Sequence, residues 1–224
     1  MTFSISGRCE QTGTFGIAIS SSSPAVAARC AHARPGVGVV ATQNITDPLL
    51  GPKGLDLMQS GLSAEEALAR LLDGYDTADY RQLVLLDAAG RVALHAGPQT
   101  LGIHAMAKGK DCAAAGNLLS NTEVPAKMVA AFETSEGALG DRLIAAMQAG
   151  VAAGGEAGPV HSAGLLMVRE VSWPIADLRI DWAEEDPIGE LEKLWSLYKP
   201  QLEDYVTRAI KPQSAPSYGV PGDE

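Results

Sequence analysis

The sequence predicts an α+β fold in which strands and helices are segregated into layers. Three observations predict it. Short strand-like runs, the first with a period of two, recur in pairs. Helical stretches come in blocks, giving the order strands, helices, strands, helices rather than a strict strand–helix alternation. Hydrophobic residues make up 46% of the 224 residues, enough to bury a sizeable core. Two antiparallel sheets, each covered by helices on its outer face, fit the count.

The elements follow in chain order. Thr2–Ser6 alternates, with Thr2, Ser4 and Ser6 on one face and Phe3 and Ile5 on the other, the pattern of a strand with one buried face. A turn at Thr12-Gly13-Thr14 leads to a second strand, Phe15–Ser20, and the two form a hairpin. Gly36–Thr42 reads as a third strand. Pro52–Ser60 reads as a short helix. Ser63-Ala64-Glu65-Glu66 is a capping box that opens the next helix, with Gly74 as its stop. Arg81–Leu86 and Arg91–Ala96 form a second hairpin around Asp87–Gly90. Cys112–Leu119 is a strand, followed by helices over Glu123–Phe132 and Leu139–Ala153. Ser162–Glu170 and Ala176–Asp181 form a third hairpin. Asp186-Pro187 caps a last helix with Leu191, Leu194, Trp195, Tyr198 and Leu202 on one stripe, and Pro200 is expected to kink it. The expected organisation is one domain over residues 1–210 and a tail over 211–224 that packs on the domain or on a neighbouring subunit of a homo-oligomer.

The net charge of −10 argues against nucleic acid or an anionic membrane as partner, since both demand a basic surface. Three widely spaced cysteines, Cys9, Cys30 and Cys112, suit a reducing compartment rather than a disulfide framework. The start has no basic segment and no long apolar run, so a cytoplasmic protein without a signal peptide is expected.

Several motifs can be set aside. Gly36-Val37-Gly38-Val39-Val40-Ala41 fits the dinucleotide pattern G-x-G-x-x-A, but its glycines lie within an apparent strand and no helix opens on them. There is no Walker loop and no G-x-S-x-G elbow. The histidines lack metal-ligand spacing, so no metal and no cofactor is expected.

Thr2 is the candidate nucleophile. A threonine hydroxyl needs a base to take its proton. A free α-amino group titrates near about 7.7–8.0, far below lysine, and is partly neutral at pH 7. One residue then supplies nucleophile and base, provided it is the chain terminus. Position 2 is where removal of Met1 would expose it.

The sequence resembles a bacterial and archaeal family that is Ntn-hydrolase-like (Ntn, N-terminal nucleophile) and known as domain of unknown function 1028. The resemblance rests on T-F-S-I at Thr2–Ile5, G-I-A-I-S at Gly16–Ser20, and H-A-R-P-G-V-G-V-V-A-T-Q at His32–Gln43. It continues through G-P-K-G-L-D-L-M-Q-S-G-L-S-A-E-E-A-L at Gly51–Leu68, Y-R-Q-L at Tyr80–Leu83 and G-N-L-L at Gly116–Leu119. S-A-G-L-L at Ser162–Leu166 and D-L-R-I-D at Asp177–Asp181 complete it. It implies a four-layer αββα sandwich, Thr2 as first residue of the mature chain, and cleavage of an amide C–N bond in a small-molecule substrate through an acyl-enzyme. A non-catalytic ligand-binding or structural protein on the same fold is the alternative. The chain departs from its relatives twice: at Gly158-Pro159-Val160-His161, where they carry a polar or basic stretch, and at Asp181-Trp182-Ala183, where they often read D-D-H.

An acyl-transfer site also needs oxyanion donors and a grip on the substrate. The Asn117 amide can serve as donor, or bond backbone at a strand end. Gln43 and Asn44 follow the third strand, where they bind substrate or cap a loop. Arg81 with Gln82 opens a strand; Arg81 can grip a substrate carboxylate, or form a salt bridge to Asp177 or Asp181. Ser20, with Ser21, ends the second strand beside Thr2 if the hairpin register is right.

Overall fold

A computed structural model of the chain describes residues 1–220 and 222. It is a mixed α/β fold with two antiparallel sheets. The first sheet has six strands: β1 (Thr2–Cys9), β2 (Thr14–Ser21), β7 (Ala105–Gly109), β8 (Cys112–Asn117), β9 (Ser162–Val168) and β10 (Ala176–Ile180). Their order is β10-β9-β2-β1-β8-β7, so β1 is central. The second sheet has the order β3-β4-β5-β6, built from Ala31–Arg34, Gly38–Asn44, Arg81–Asp87 and Val92–Ala96. The helices are α1 (Ala27–Cys30), α2 (Leu50–Gln59), α3 (Ala64–Leu72), α4 (Val124–Thr134), α5 (Leu139–Ala152), α6 (Pro187–Tyr198) and α7 (Leu202–Ile210).

The alternation in β1 sorts its side chains as period two requires, but both faces are buried. Phe3 and Ile5 pack with Met128 and Phe132 of α4 and Leu143 and Met147 of α5. Ser4, on the opposite face, meets Gln43 of β4 in the other sheet. The polar face of β1 therefore looks into the protein, not into water. The single buried face expected from alternation is corrected, because the second sheet covers the side that its polar residues suggested was wet.

Between the sheets, Phe15 and Ile17 meet Val39, Ala41, Val84, Leu86, Ala113, Ala115 and Val168. On the outer side of the smaller sheet, Val40, Leu83 and Leu85 meet Leu55, Met58, Leu68 and Leu71 of α2 and α3. Each fully buried side chain of this size contributes about 1.5–3 kcal/mol through loss of apolar surface from water.

The capping box of α3 forms as expected: Glu66 N donates to Ser63 Oγ at 3.2 Å and Ser63 N to Glu66 Oε2 at 2.8 Å. Asp186 caps α6, accepting from Gly189 N at 2.9 Å. Pro200 does more than kink the last helix. A 3₁₀ turn at Lys199–Gln201 divides it into α6 and α7, since proline removes a ladder donor and clashes with the preceding turn. Leu191, Trp195 and Leu202 are buried, with Leu194 and Tyr198 packed against the same cluster.

The short elements α1, β3 and β7, and the 3₁₀ turns at Ala78–Tyr80 and Pro212–Ser214, are not expected from the sequence. Gly36 is consequently not inside a strand. It sits at φ +69° in the turn between β3 and β4, and β4 begins at Gly38. Beyond α7, Arg208 Nη2 donates to Pro216 O at 3.0 Å and its guanidinium lies 3.9 Å from the Tyr218 ring centroid. Among the described residues no helix is long and apolar enough to cross a membrane.

Candidate functional site

Thr2 begins β1 and is 7% exposed. Pairing to β8 sets Thr2 opposite Asn117, and pairing to β2 sets Phe3 opposite Ser20. Thr2 Oγ1 donates to Met1 O at 2.5 Å and lies 3.4 Å from Ser21 Oγ. Ser21 Oγ also donates to Met1 O, and accepts from Ser23 N at 3.1 Å. Two hydroxyls thus converge on one carbonyl oxygen, that of Met1. Of the two serines ending β2, the inward one is Ser21. Ser20 points to the other face and donates to Ser162 O at 2.9 Å.

Behind Thr2 runs a chain of side-chain amides, every member 1% exposed or less. Ser4 Oγ donates to Gln43 Oε1 at 2.8 Å. Gln43 Nε2 and Asn117 Nδ2 both donate to Gln82 Oε1, at 2.9 and 3.0 Å. Gln82 Nε2 donates to Gly116 O at 3.0 Å. Period two explains the convergence: Gln43, Gln82 and Asn117 occupy the inward positions at the same end of β4, β5 and β8. A buried amide left unpaired would cost about 1–3 kcal/mol, so the chain holds each member in one orientation. The structure therefore brings together Thr2, Asn117, Gln43 and Gln82.

Asn44 and Arg81 lie elsewhere. Asn44 has φ +76°, donates to Tyr80 O at 2.7 Å and accepts from Leu101 N at 3.1 Å, so its side chain ties two loops together. Arg81 donates to Ile45 O and, at 2.8 Å, to Thr77 Oγ1. The salt bridge from Arg81 to Asp177 or Asp181 does not form. Asp177 lies in β10 at the edge of the other sheet and pairs instead with Arg179 at 2.8 Å.

Two features escaped the sequence reading. Glu156 is buried at 6% exposure. Its Oε2 accepts from Ser22 N at 3.3 Å, whereas its Oε1 has no partner. Burial pushes its carboxyl up to about 8, although the positive chain terminus at Met1 pulls the other way. An isolated bridge between Leu119 and Glu156 fixes this segment just past the end of β8. Nothing periodic marks a glutamate in Gly-Gly-Glu-Ala-Gly-Pro as buried; only the tertiary bridge does so.

The second feature is that the two departures noted above form one unit. The His161 ring stacks on Trp182, centroids 4.4 Å apart at 15°. His161 Nδ1 lies 2.8 Å from Ala183 O, and Ala183 N donates to His161 O at 2.7 Å. His161 N in turn donates to Ser21 O at 2.8 Å, tying the pair to the strand that carries the inward serine. A histidine and a tryptophan that look unrelated in sequence thus pack together beside the strand that carries Ser21.

Hollows of the surface lie away from Thr2. One of about 550 Å³, lined by residues including Arg8, Cys9, Lys110, Asp111 and Arg142, opens at the opposite end of β1. Among the described residues, no three His, Cys, Asp or Glu side chains are grouped to hold a metal ion.

No curated protein matches the chain. Among solved structures it is similar to protein SPO2555 from Silicibacter pomeroyi, a DUF1028 protein, with 28% identity and a TM-score of 0.84 over 91% of this chain and 89% of that one. It also matches Anbu, the ancestral beta-subunit, from Yersinia bercovieri, with 11% identity and a TM-score of 0.38 over 91% and 97% of the two chains. That likeness is too slight to carry an argument. Residues 2–191 match the family described as Family of unknown function (DUF1028), and the chain belongs to it.

Proposed function

We propose that this protein is an N-terminal-nucleophile amidohydrolase on a four-layer αββα sandwich, with Thr2 as nucleophile after removal of Met1. One observation carries the reading. Thr2 opens a central strand, its hydroxyl buried beside Ser21 and in register with an amide chain that ends in Asn117. A hydroxyl at the start of a core strand is held rigidly, as a nucleophile must be.

The steps use this chain's own groups. The freed Thr2 amine takes the Oγ1 proton, directly or through water. Oγ1 bonds to the substrate carbonyl carbon, and Ser21 Oγ or Asn117 Nδ2 donates to the oxyanion. The C–N bond breaks as the leaving nitrogen takes the proton from the Thr2 amine. Water then attacks the Thr2 ester, passing its proton through the amine back to Oγ1. In the Met1-bearing chain this machinery is capped. The Thr2 nitrogen is an amide, and both hydroxyls are spent on Met1 O. That capping favours a second reading, a non-catalytic ligand-binding or structural protein, wherever Met1 stays.

The test compares Met1-free protein with a form carrying an N-terminal extension. Each is incubated with a β-lactone electrophile and with a panel of small amides, and intact mass is recorded. Acylation and turnover are expected in the Met1-free form only. Acylation of the extended form, or normal turnover by Thr2→Ala, would overturn the proposal. Full retention of Met1 in protein from the native host would favour the second reading.

A further inference from the structure

Met1 shows what the space beside Thr2 accommodates. Its carbonyl oxygen is held by the Thr2 and Ser21 hydroxyls. Its terminal methyl lies 3.1 Å from where a Cβ on Gly158 would stand, so the side chain passes close over that glycine. Glu156 stands beside this carbonyl site, its Oε2 accepting from Ser22 N, the residue after Ser21, and the positive charge of the Met1 terminus is felt at its carboxyl. A methionyl group thus lies with its carbonyl on the two hydroxyls and its side chain over Gly158.

Glu156 is the unexplained member. It is more than nine-tenths buried, and Oε1 faces no donor. A buried carboxyl oxygen without a donor is costly unless a ligand supplies one. A carboxylate on the ligand would be repelled. A primary amine fits best. It and the carboxyl share one proton between them, and the pair is neutral overall whichever of the two holds it. Burial tolerates such a pair where it would not tolerate a net charge.

We infer that the acyl group accepted by the site carries a free primary amine, as an unblocked aminoacyl amide does, and that Glu156 receives that amine while the acyl side chain passes over Gly158. This rests on the reading of Thr2 as nucleophile, for it is the attacked carbonyl that takes the place of the Met1 carbonyl.

The experiment uses Met1-free protein and two probes, methionine p-nitroanilide and its N-acetyl derivative. The free-amine compound is expected to be cleaved roughly tenfold to a hundredfold faster in kcat/KM, the range for a hydrogen bond to a charged group. In Glu156→Gln that ratio should fall to about one. Equal or faster cleavage of the acetylated compound by the unaltered protein, or a ratio that persists in Glu156→Gln, overturns the inference while leaving the nucleophile reading intact. If neither compound is cleaved, calorimetry of Met1-free Thr2→Ala protein with methioninamide and with N-acetylmethioninamide separates the two claims. Binding of the first but not the second supports the amine subsite and counts against hydrolysis. Equal binding of both, or of neither, overturns the subsite, and this arm needs no change at Glu156.

Discussion

The layer between the two sheets has two ends of opposite character. At one end, inward positions of β2, β4, β5 and β8 carry Phe15, Val39, Leu86 and Ala113, an apolar contact interrupted by the buried Ser6 hydroxyl of β1. At the other end the same faces of β4, β5 and β8 carry Gln43, Gln82 and Asn117, with Thr2 and Ser4 on β1 and Ser21 on β2. The backbone pairing is continuous from one end to the other. Only the side chains change. An apolar filling would have served stability at least as well, since satisfied buried polar groups add little net stability and unsatisfied ones cost it. On the proposed function, the amide chain at the Thr2 end orients groups for chemistry, while the apolar end holds the sheets together.

The largest effect should come at the polar end and leave the fold alone. Thr2→Ala in the Met1-free protein is expected to lower amide turnover by about a thousandfold or more, as loss of a nucleophile does, with an unchanged melting temperature. A melting temperature that falls with the activity would make Thr2 a packing residue. The apolar end should behave in the opposite way. Leu86→Ala removes a fully buried side chain and should cost about 2–5 kcal/mol in chemical denaturation, with kcat per folded molecule preserved. If Leu86→Ala changes kcat as strongly as it changes stability, the two ends are not independent.

Glu156 gives the polar end a pH signature. Its carboxyl is raised from 4.5 to about 8 in the folded chain. The folded state then binds more protons than the unfolded state between those values, so stability is fully present below about 4.5 and is lost as pH rises toward about 8. The steepest slope one group can give is about 1.4 kcal/mol per pH unit. Glu156→Gln should flatten the melting profile of the Met1-bearing protein over this window, and an identical profile for the two proteins would show that Glu156 does not titrate there.

How much of this was legible depends on length and period. The hairpin β1–β2 is readable because alternation in β1 and the Thr12–Thr14 turn agree, β5–β6 because an apolar run meets the Asp87–Gly90 turn, and β9–β10 because two strand-like runs follow each other. The helices α3 and α6 carry their caps in the sequence. The elements β3 and β7 were not readable: they span four and five residues, and His32, Arg34 and Lys108 break any apolar pattern. The polar chain was half legible. Gln43, Gln82 and Asn117 stood out as polar residues at strand ends, but only the pairing of β4 with β5 and the stacking of the sheets bring them to one point. Gly51 shows the same limit. A Cβ there would lie 2.1 Å from the His32 ring, a close approach between α2 and β3 that no local pattern announces. Glu156 was illegible because its burial comes from a bridge to Leu119 made across the fold.

The smallest effect tests the edge of the site. The sequence offers Asn44 as a substrate binder or a loop cap and Arg81 as a substrate grip or a salt-bridge partner; in the structure both side chains hold loops. Asn44 does so with two separable properties, a positive φ of +76° and a side chain bonded to Tyr80 O and Leu101 N. Asn44→Gly keeps the backbone and loses the bonds; its cost should be about 2 kcal/mol, about 1 for each of the two. Asn44→Ala loses both and should cost about 1 kcal/mol more, because a Cβ is strained at positive φ. Neither should alter KM for an amide cleaved by the Met1-free protein. Equal costs for the two variants would mean that backbone strain plays no part. A raised KM in Asn44→Gly at unchanged stability would put Asn44 within reach of the substrate, and would extend the polar end of the inter-sheet layer outward to the loop after β4.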